Sequence, residues 1–368
     1  MSLALDSSAP FVDRVRNAAA TGTALRIRGG GSKDFYAQSL EGELLDTTAL
    51  AGVVSYEPSE LVVTAGAGTP LAELEVLLAA HGQCLPFEPP HFAGAGTVGG
   101  MVASGLSGPA RASVGGVRDY MLGVKIINGK GEYLTFGGQV MKNVAGYDVS
   151  RLMAGSMGTL GLITEVSLKV LPVAPLEATL RFECSQAQAL QWLHAWGGQP
   201  LPLSASCWVE DQGVGTLHLR LRGALAAVEA ACKTLGGERQ GPQAAADWQA
   251  CRDQQLPWHQ ARSATQDLWR LSLPQTTPVL DLPDSPLVEW HGGLRWVRAG
   301  AAQGPALRAA AQAAGGHATL FIAASEGRTC ASARFDTLKP PLDRIHKALK
   351  HEFDPAGIFN PHRLSAHW

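Results

Sequence analysis

The sequence predicts an α+β fold in two domains, and three observations predict it. Three glycine-rich segments stand in the first half, each at a strand end or beside a helix start: Arg28-Gly29-Gly30-Gly31-Ser32-Lys33, Gly96-Thr97-Val98-Gly99-Gly100 running on to Ser104, and Gly155-Ser156-Met157-Gly158-Thr159-Leu160-Gly161. After about residue 176 these loops give way to alternating strands and helices. A length of 368 residues, 46 % hydrophobic and 17 % charged, exceeds what one ordinary core holds. The expected boundaries are 1–175 for the glycine-looped domain, 176–335 for a second domain and 336–368 for a C-terminal segment.

The elements follow in order. Residues 11–20 predict a short helix, 25–28 a strand with the triple glycine as its turn, and 53–56 and 61–65 two more strands. Thr69 is placed to cap a helix whose first residue is Pro70, whose apolar stripe is Leu71, Leu74, Leu77 and Leu78, and which Gly82 ends. Residues 86–96 are an extended proline and glycine loop. Strands at 121–128 and 132–136 flank Asn128-Gly129-Lys130-Gly131, a turn that asks for positive φ. A helix at 147–153 leads into the third glycine segment and a strand at 162–171. Beyond lie strands at 179–182, 206–210 and 216–221 with helices at 187–196 and 224–235, an antiparallel α+β pattern. Residues 240–290 are rich in Trp and Gln and carry no clear period. Strands at 294–297 and 319–323 and helices at 304–314 and 341–353 precede a structured ending, Phe353-Asp354-Pro355-Ala356-Gly357-Ile358-Phe359-Asn360-Pro361.

Composition excludes several classes. A net charge of −2 with scattered Lys and Arg offers no field for nucleic acid. No segment has the apolar length of a membrane helix, and the N-terminus lacks a basic region followed by an apolar stretch. The expected location is the cytoplasm, with any attachment at the inner membrane made through a partner. The six cysteines, at 84, 184, 207, 232, 251 and 330, have no close C-x-x-C pairing, so they read as buried thiols rather than disulfides or ligands of a metal or cluster.

Glycine lets a backbone take positive φ and lie close to a ligand, so successive N–H groups converge on phosphate oxygens. The triple glycine after a strand and Gly99-Gly100 entering a helix therefore predict a large phosphorylated cofactor. Gly94-Ala95-Gly96-Thr97-Val98-Gly99 also fits G-x-G-x-x-G, with Asp119 further on, yet the preceding Pro86, Pro89 and Pro90 are incompatible with the buried strand that a Rossmann fingerprint must follow. No G-x-x-x-x-G-K-[ST] motif is present.

Taken in order, the loop at 28–33, the Gly-Thr-Val-Gly-Gly run with Gly115-Gly116-Val117-Arg118-Asp119 after it, Lys142-Asn143 through Gly146-Tyr147-Asp148 to Gly158-Thr159-Leu160-Gly161-Leu162-Ile163-Thr164, and the closing Phe353 to Pro361 stretch resemble the vanillyl-alcohol oxidase and p-cresol methylhydroxylase family of FAD-linked oxidases. Within it the chain is most similar to the FAD-binding subunits of glycolate oxidases. The resemblance implies a two-subdomain FAD-binding domain, a ferredoxin-like α+β cap over the flavin ring, and a C-terminal segment returning to the FAD domain. It implies that Arg28, Gly29, Gly30, Gly31 and Ser32 hold the pyrophosphate. Gly96, Thr97, Val98, Gly99, Gly100 and Ser104 would line the rest of the dinucleotide, with Ile163 against the adenosine part and Asn360 near the flavin.

It further implies oxidation of glycolate, or a D-2-hydroxy acid such as D-lactate, to the 2-oxo acid. Electrons would leave through a larger catalytic flavoprotein subunit and an iron–sulfur subunit. An assembly subunit that turns over nothing is the alternative. Family dehydrogenases carry a cap His-Gly-Asp stretch and paired histidines, where this chain has His291-Gly292-Gly293, and usually Glu where it has Met157. No catalytic residue is therefore assigned, and no metal is expected. His91 in the proline loop is a candidate for flavin contact or covalent attachment, or an ordinary loop residue. Lys142 and Arg118 either neutralise phosphate or substrate carboxylate or are solvated charge. His291 reads as a core histidine, Trp290 and Trp296 as packing around a strand, and Arg295 as a candidate partner for another subunit's carboxylate.

Overall fold

The computed structural model describes residues 3–92, 94–138, 148–326 and 333–366. The chain forms two compact units, one of residues 1–106, 116–173 and 337–368, the other of 107–115 and 174–336.

The first unit opens with α1 (Leu3–Thr21), which starts well before the expected helix at 11–20 and carries Pro10 inside it. Strands β1 (Leu25–Arg28) and β2 (Glu43–Asp46) pair in parallel, and Leu25 also bridges Phe359 of the C-terminal segment. β3 (Val53–Glu57) and β4 (Val62–Gly66) precede α2 (Leu71–Ala80), then β5 (Gln83–Cys84) and α3 (Val98–Ser104). Thr69 does not cap α2: its hydroxyl accepts from Gly52 N at 2.9 Å and donates to Gly52 O, and Pro70 is the capping residue rather than the first helical one. The short α4 (Arg111–Val114) belongs to the second unit. β6 (Met121–Ile127), β7 (Tyr133–Gly137), α5 (Val149–Met153), β8 (Leu162–Lys169) and β9 (Leu171–Pro172) complete the block. In the turn between β6 and β7 only Gly131 has positive φ; Asn128 ties the turn by accepting from Lys130 N and Glu132 N.

The five-stranded antiparallel sheet runs β3-β4-β8-β6-β7. Because neighbours along a strand face opposite ways, its two faces serve two cores. Ile126 and Ile163 join Leu71, Leu74, Leu78 and Phe87 in one core, while Ile127 and Leu162 join Val15, Leu25, Ile358 and Phe359 in the other.

The second unit holds one eight-stranded antiparallel sheet. β10 (Leu176–Glu183), α6 (Gln186–Gly197), β11 (Leu203–Asp211), β12 (Val214–Gly223), α7 (Leu225–Leu235) and β13 (Glu238–Arg239) form a βαββαβ unit with spatial order β13-β10-β12-β11, the ferredoxin-like arrangement. Ser185 caps α6 through the reciprocal box with Gln188. The region without a clear period resolves into α8 (Ala244–Arg252), α9 (Pro257–Gln260), β14 (Gln266–Ser272) and β15 (Leu287–Glu289). With β16 (Leu294–Gly300), α10 (Gly304–Ala313) and β17 (His317–Ile322), these strands lie in the order β15-β16-β14-β17. That is the same pattern repeated, with residues 273–286 irregular where the first repeat has α6, and the two repeats join at β11 and β15. The chain then returns to the first unit as α11 (Leu342–Phe353).

Candidate cofactor site

β1 ends where the glycines begin. Gly31 has φ +74, and a Cβ on Gly30 would overlap the Ala95 carbonyl oxygen, so this loop is drawn as tightly as glycine allows. Among the described residues, no group accepts a hydrogen bond from the backbone N–H of Gly29, Gly30, Gly31 or Ser32. The loop walls a cleft of the first unit, together with Thr97, Gly99, Gly100, Ser104, Gly158, Gly161, Ile163, Asn360 and Arg363. Arg28, Gly29, Gly30, Gly31, Ser32, Thr97, Gly99, Gly100, Ser104, Ile163 and Asn360 are thus gathered from four separate stretches of chain.

Gly96 and Val98 do not line it. Val98 is fully buried in the core, and the Gly96 carbonyl accepts from Leu71 N at 2.8 Å. The expectation that Gly99-Gly100 offers the free donors of a helix start is also corrected. Val98 N donates to Thr69 O, Gly99 N to Ala67 O at 2.7 Å, and Gly100 N to the capping Thr97 Oγ1 at 3.2 Å. Gly99 is glycine for packing, since its Cβ would lie 2.7 Å from that of Ala67. Of these two segments, it is the first that carries N–H donors without acceptors.

Asn360 sits in the left-handed region at φ +40. Its side chain accepts from Ile27 N at 2.8 Å and donates to Met157 O at 2.7 Å, tying the base of the triple-glycine loop to the third glycine segment. Gly158 makes this possible, because a Cβ there would come within 2.6 Å of Asn360 Nδ2.

Cleft charge is mainly positive. Arg28 Nε meets Asp34 Oδ2 at 2.7 Å, and Lys33 Nζ lies 3.3 Å from Ser32 Oγ and 5.6 Å from the centre of the Phe92 ring. Lys33 and Arg363 were not among the expected site residues. Lys33 was legible as the end of the first glycine motif; nothing local marks Arg363.

Other candidates fall elsewhere. His91 Nε2 lies 2.8 Å from Glu75 Oε2, outside the cleft, and Arg118 is exposed beside Asp119. Arg295 is not available to another subunit: it is fully buried and donates to Pro278 O and Thr277 O at 2.7 and 2.6 Å. Burial lowers its pKa to about 10. Trp296 lies in β16, whereas Trp290 begins a short helical turn and donates to Gly108 O. His291 Nε2 is 3.1 Å from Ser113 Oγ with Nδ1 buried and unpartnered, and burial pushes its pKa down to about 4, so it is neutral at pH 7. Lys142, Asn143, Gly146, Tyr147 and Cys330 lie outside the described residues; the five described cysteines are free thiols. No group of three His, Cys, Asp or Glu among the described residues is placed to hold a metal.

Residues 3–137 match the FAD binding domain family. The chain is 45 % identical over 361 residues to the glycolate oxidase subunit GlcE of Escherichia coli (strain K12), covering 98 % of each chain. The chain belongs to the glycolate oxidase subunit GlcE family. A D-lactate dehydrogenase of Archaeoglobus fulgidus is 32 % identical over 148 residues, 40 % of this chain and 33 % of that one. An alkyldihydroxyacetonephosphate synthase structure superposes with a TM-score of 0.65 at 16 % identity, over 96 % of this chain and 75 % of that one. That likeness bears on fold alone, and the fold is of the two-subdomain FAD-linked oxidase type expected. FAD is the cofactor, and the chain is an FAD-dependent oxidoreductase of this family. The cleft suits FAD, whose diphosphate needs donors that the protein itself has not used, and the Gly29–Ser32 amides are such donors. No helix among the described residues is long and apolar enough to cross a membrane.

Proposed function

We propose that this chain is the FAD-binding subunit of a glycolate oxidase complex. It would take part in oxidising glycolate, or a D-2-hydroxy acid such as D-lactate, to the 2-oxo acid. The observation that carries this reading is the end-to-end likeness to GlcE, joined to a cleft whose loop N–H groups are uncommitted. In it, Gly29, Gly30, Gly31 and Ser32 receive the diphosphate. Thr97, Gly99, Gly100 and Ser104 wall the cofactor, Ile163 packs its adenosine part, and Asn360 fixes the distance between the two loops that bracket it.

Bound flavin supplies the acceptor for the hydride of the hydroxy acid. The protein's part is to hold that cofactor in a glycine cradle whose backbone leaves no room for a side chain at Gly30. The next electron acceptors are a larger catalytic flavoprotein subunit and an iron–sulfur subunit, because the cysteines of this chain show no cluster spacing. The complex would be cytoplasmic, meeting the inner membrane through those partners.

A second reading, an assembly subunit that stabilises the catalytic flavoprotein, is favoured by one observation. His291, where relatives are expected to place a His-Gly-Asp stretch, is half-buried and neutral at pH 7, with Nε2 at Ser113 Oγ and its backbone N–H donating to Ser206 Oγ. Anaerobic addition of glycolate or D-lactate to the purified chain, alone and with its partner subunits, separates the two. Bleaching of this chain's flavin supports the redox role. Flavin that stays oxidised even in the assembled, turning-over complex supports the assembly role.

A further inference from the structure

Arg363 lies just past Asn360 in the C-terminal segment and is only 9 % exposed. Its backbone is fixed at both ends, with N donating to Asn360 O at 3.3 Å and O accepting from Gln38 N at 3.0 Å. The side chain lines the cleft beside the triple-glycine loop, and its Nε is buried with no hydrogen-bond partner. Burial lowers its pKa; Asp34 opposes that and Arg26, a second like charge, adds to it. The Asp34 carboxylate is held by Arg28 at 2.7 Å.

A buried guanidinium without a matched anion is expensive. Among the charged side chains of the cleft, Arg28, Lys33 and Arg363 are positive and Asp34 alone is negative. The same wall carries four backbone N–H groups without acceptors. A doubly charged anion at this wall answers both deficits at once. We infer that Arg363 is a diphosphate-binding residue of the cleft, supplying charge-assisted hydrogen bonds to FAD where Gly29–Ser32 supply neutral ones. This rests on the reading that the cleft holds FAD.

The test is titration of apo-protein with FAD and, separately, with riboflavin, which lacks the phosphates, following flavin fluorescence for wild type, Arg363→Met and Arg363→Lys. Arg363→Met is expected to weaken FAD binding by about 10- to 100-fold, the weight of a charge-assisted hydrogen bond. Arg363→Lys restores part of it as a point charge. Riboflavin affinity stays the same in all three. The melting temperature of the apo-protein is no lower in Arg363→Met than in wild type, since the substitution removes an unpaired buried charge.

Equal FAD affinity in wild type and Arg363→Met overturns the inference. So does a parallel loss of FAD and riboflavin binding, which marks a structural role. Unchanged FAD affinity combined with loss of the glycolate-induced change in the flavin spectrum overturns it too, assigning Arg363 to a substrate carboxylate. A wild-type chain that binds neither flavin instead defeats the cleft reading on which the inference rests.

Discussion

Lys350 and Asp354 stand one helical turn apart at the end of α11 and meet at 2.6 Å with both side chains buried. Lys350 Nζ also donates to Thr159 O at 2.9 Å and Phe359 O at 2.8 Å, so its three hydrogens are all used. Asp354 in turn accepts from Ile358 N and Phe359 N. This knot is what the closing Phe353 to Pro361 motif builds. It holds the chain so that Asn360 reaches β1 and Arg363 reaches the cleft.

Breaking the pair one side at a time leaves a buried charge or a set of buried donors without partners. Asp354→Ala is expected to cost about 3–5 kcal/mol in urea denaturation. The double change Lys350→Met with Asp354→Leu is expected to cost less than the sum of the single ones, because it removes both charges together. Additive losses would show that the ion pair carries no coupling.

Asn360 offers a second, graded test. Asn360→Ala strands Ile27 N–H and Met157 C=O, at about 1–3 kcal/mol each, and puts a Cβ-bearing residue without a side-chain amide at φ +40. Asn360→Gly relieves the backbone term alone. The expected order of stability is wild type, then Gly, then Ala, with FAD affinity falling in the same order. An Ala variant as stable as Gly would mean that the left-handed backbone costs nothing here.

The triple glycine is a steric requirement. Gly30→Ala sets a Cβ against the Ala95 carbonyl oxygen, a backbone atom that cannot swing aside, and is expected to cost about 3 kcal/mol or more and to abolish flavin retention. Gly241→Ala, with nothing within 4 Å of its Cβ and no positive φ, is the matched control and stays within about 0.5 kcal/mol of wild type. Retention of flavin by Gly30→Ala would contradict the cradle.

Two histidines of the second unit, His259 buried and His291 half-buried, set an acid limit. Burial pushes His259 down to about 3 and His291 to about 4, from an ordinary value of 6.5. Above pH 6.5 both are neutral folded or unfolded, and their contribution to stability is complete. As pH falls below 6.5 the unfolded chain takes up protons that the folded one refuses. Stability is then lost until pH reaches about 4 for His291 and about 3 for His259. Each pH unit in that window costs about 1.4 kcal/mol per histidine at most. Melting temperatures between pH 8 and 4.5 therefore fall less steeply in His259→Phe than in wild type, and identical slopes would refute the assignment.

Much of this was legible in the sequence. Strand 25–28, the α2 stripe of Leu71, Leu74 and Leu78, and the βαββα order of 179–235 all follow from period and turn residues, whereas the two-residue closing strand at 238–239 does not. What was not legible depends on distant partners. Thr69 looks like a cap until Gly52 takes its hydroxyl, and Gly99-Gly100 looks like a phosphate-binding helix start until Ala67 and Thr97 take its amides. β14 was hidden because its two edge partners, β16 and β17, both come later in the chain, and because Asp267, Leu268 and Trp269 are buried in succession, which leaves no clean alternation. Arg363 is an ordinary surface residue by its neighbours in sequence, and its buried, unpartnered state exists only in the fold.

The most direct test of the central claim is the flavin content of the purified chain: a visible absorbance spectrum, then acid denaturation and identification of whatever chromophore is released or stays attached. One FAD per chain is expected, or full reconstitution with FAD of a chain purified without it. A colourless protein that cannot be reconstituted would contradict the account at its root, because the uncommitted amides of Gly29–Ser32 would then have no ligand to meet.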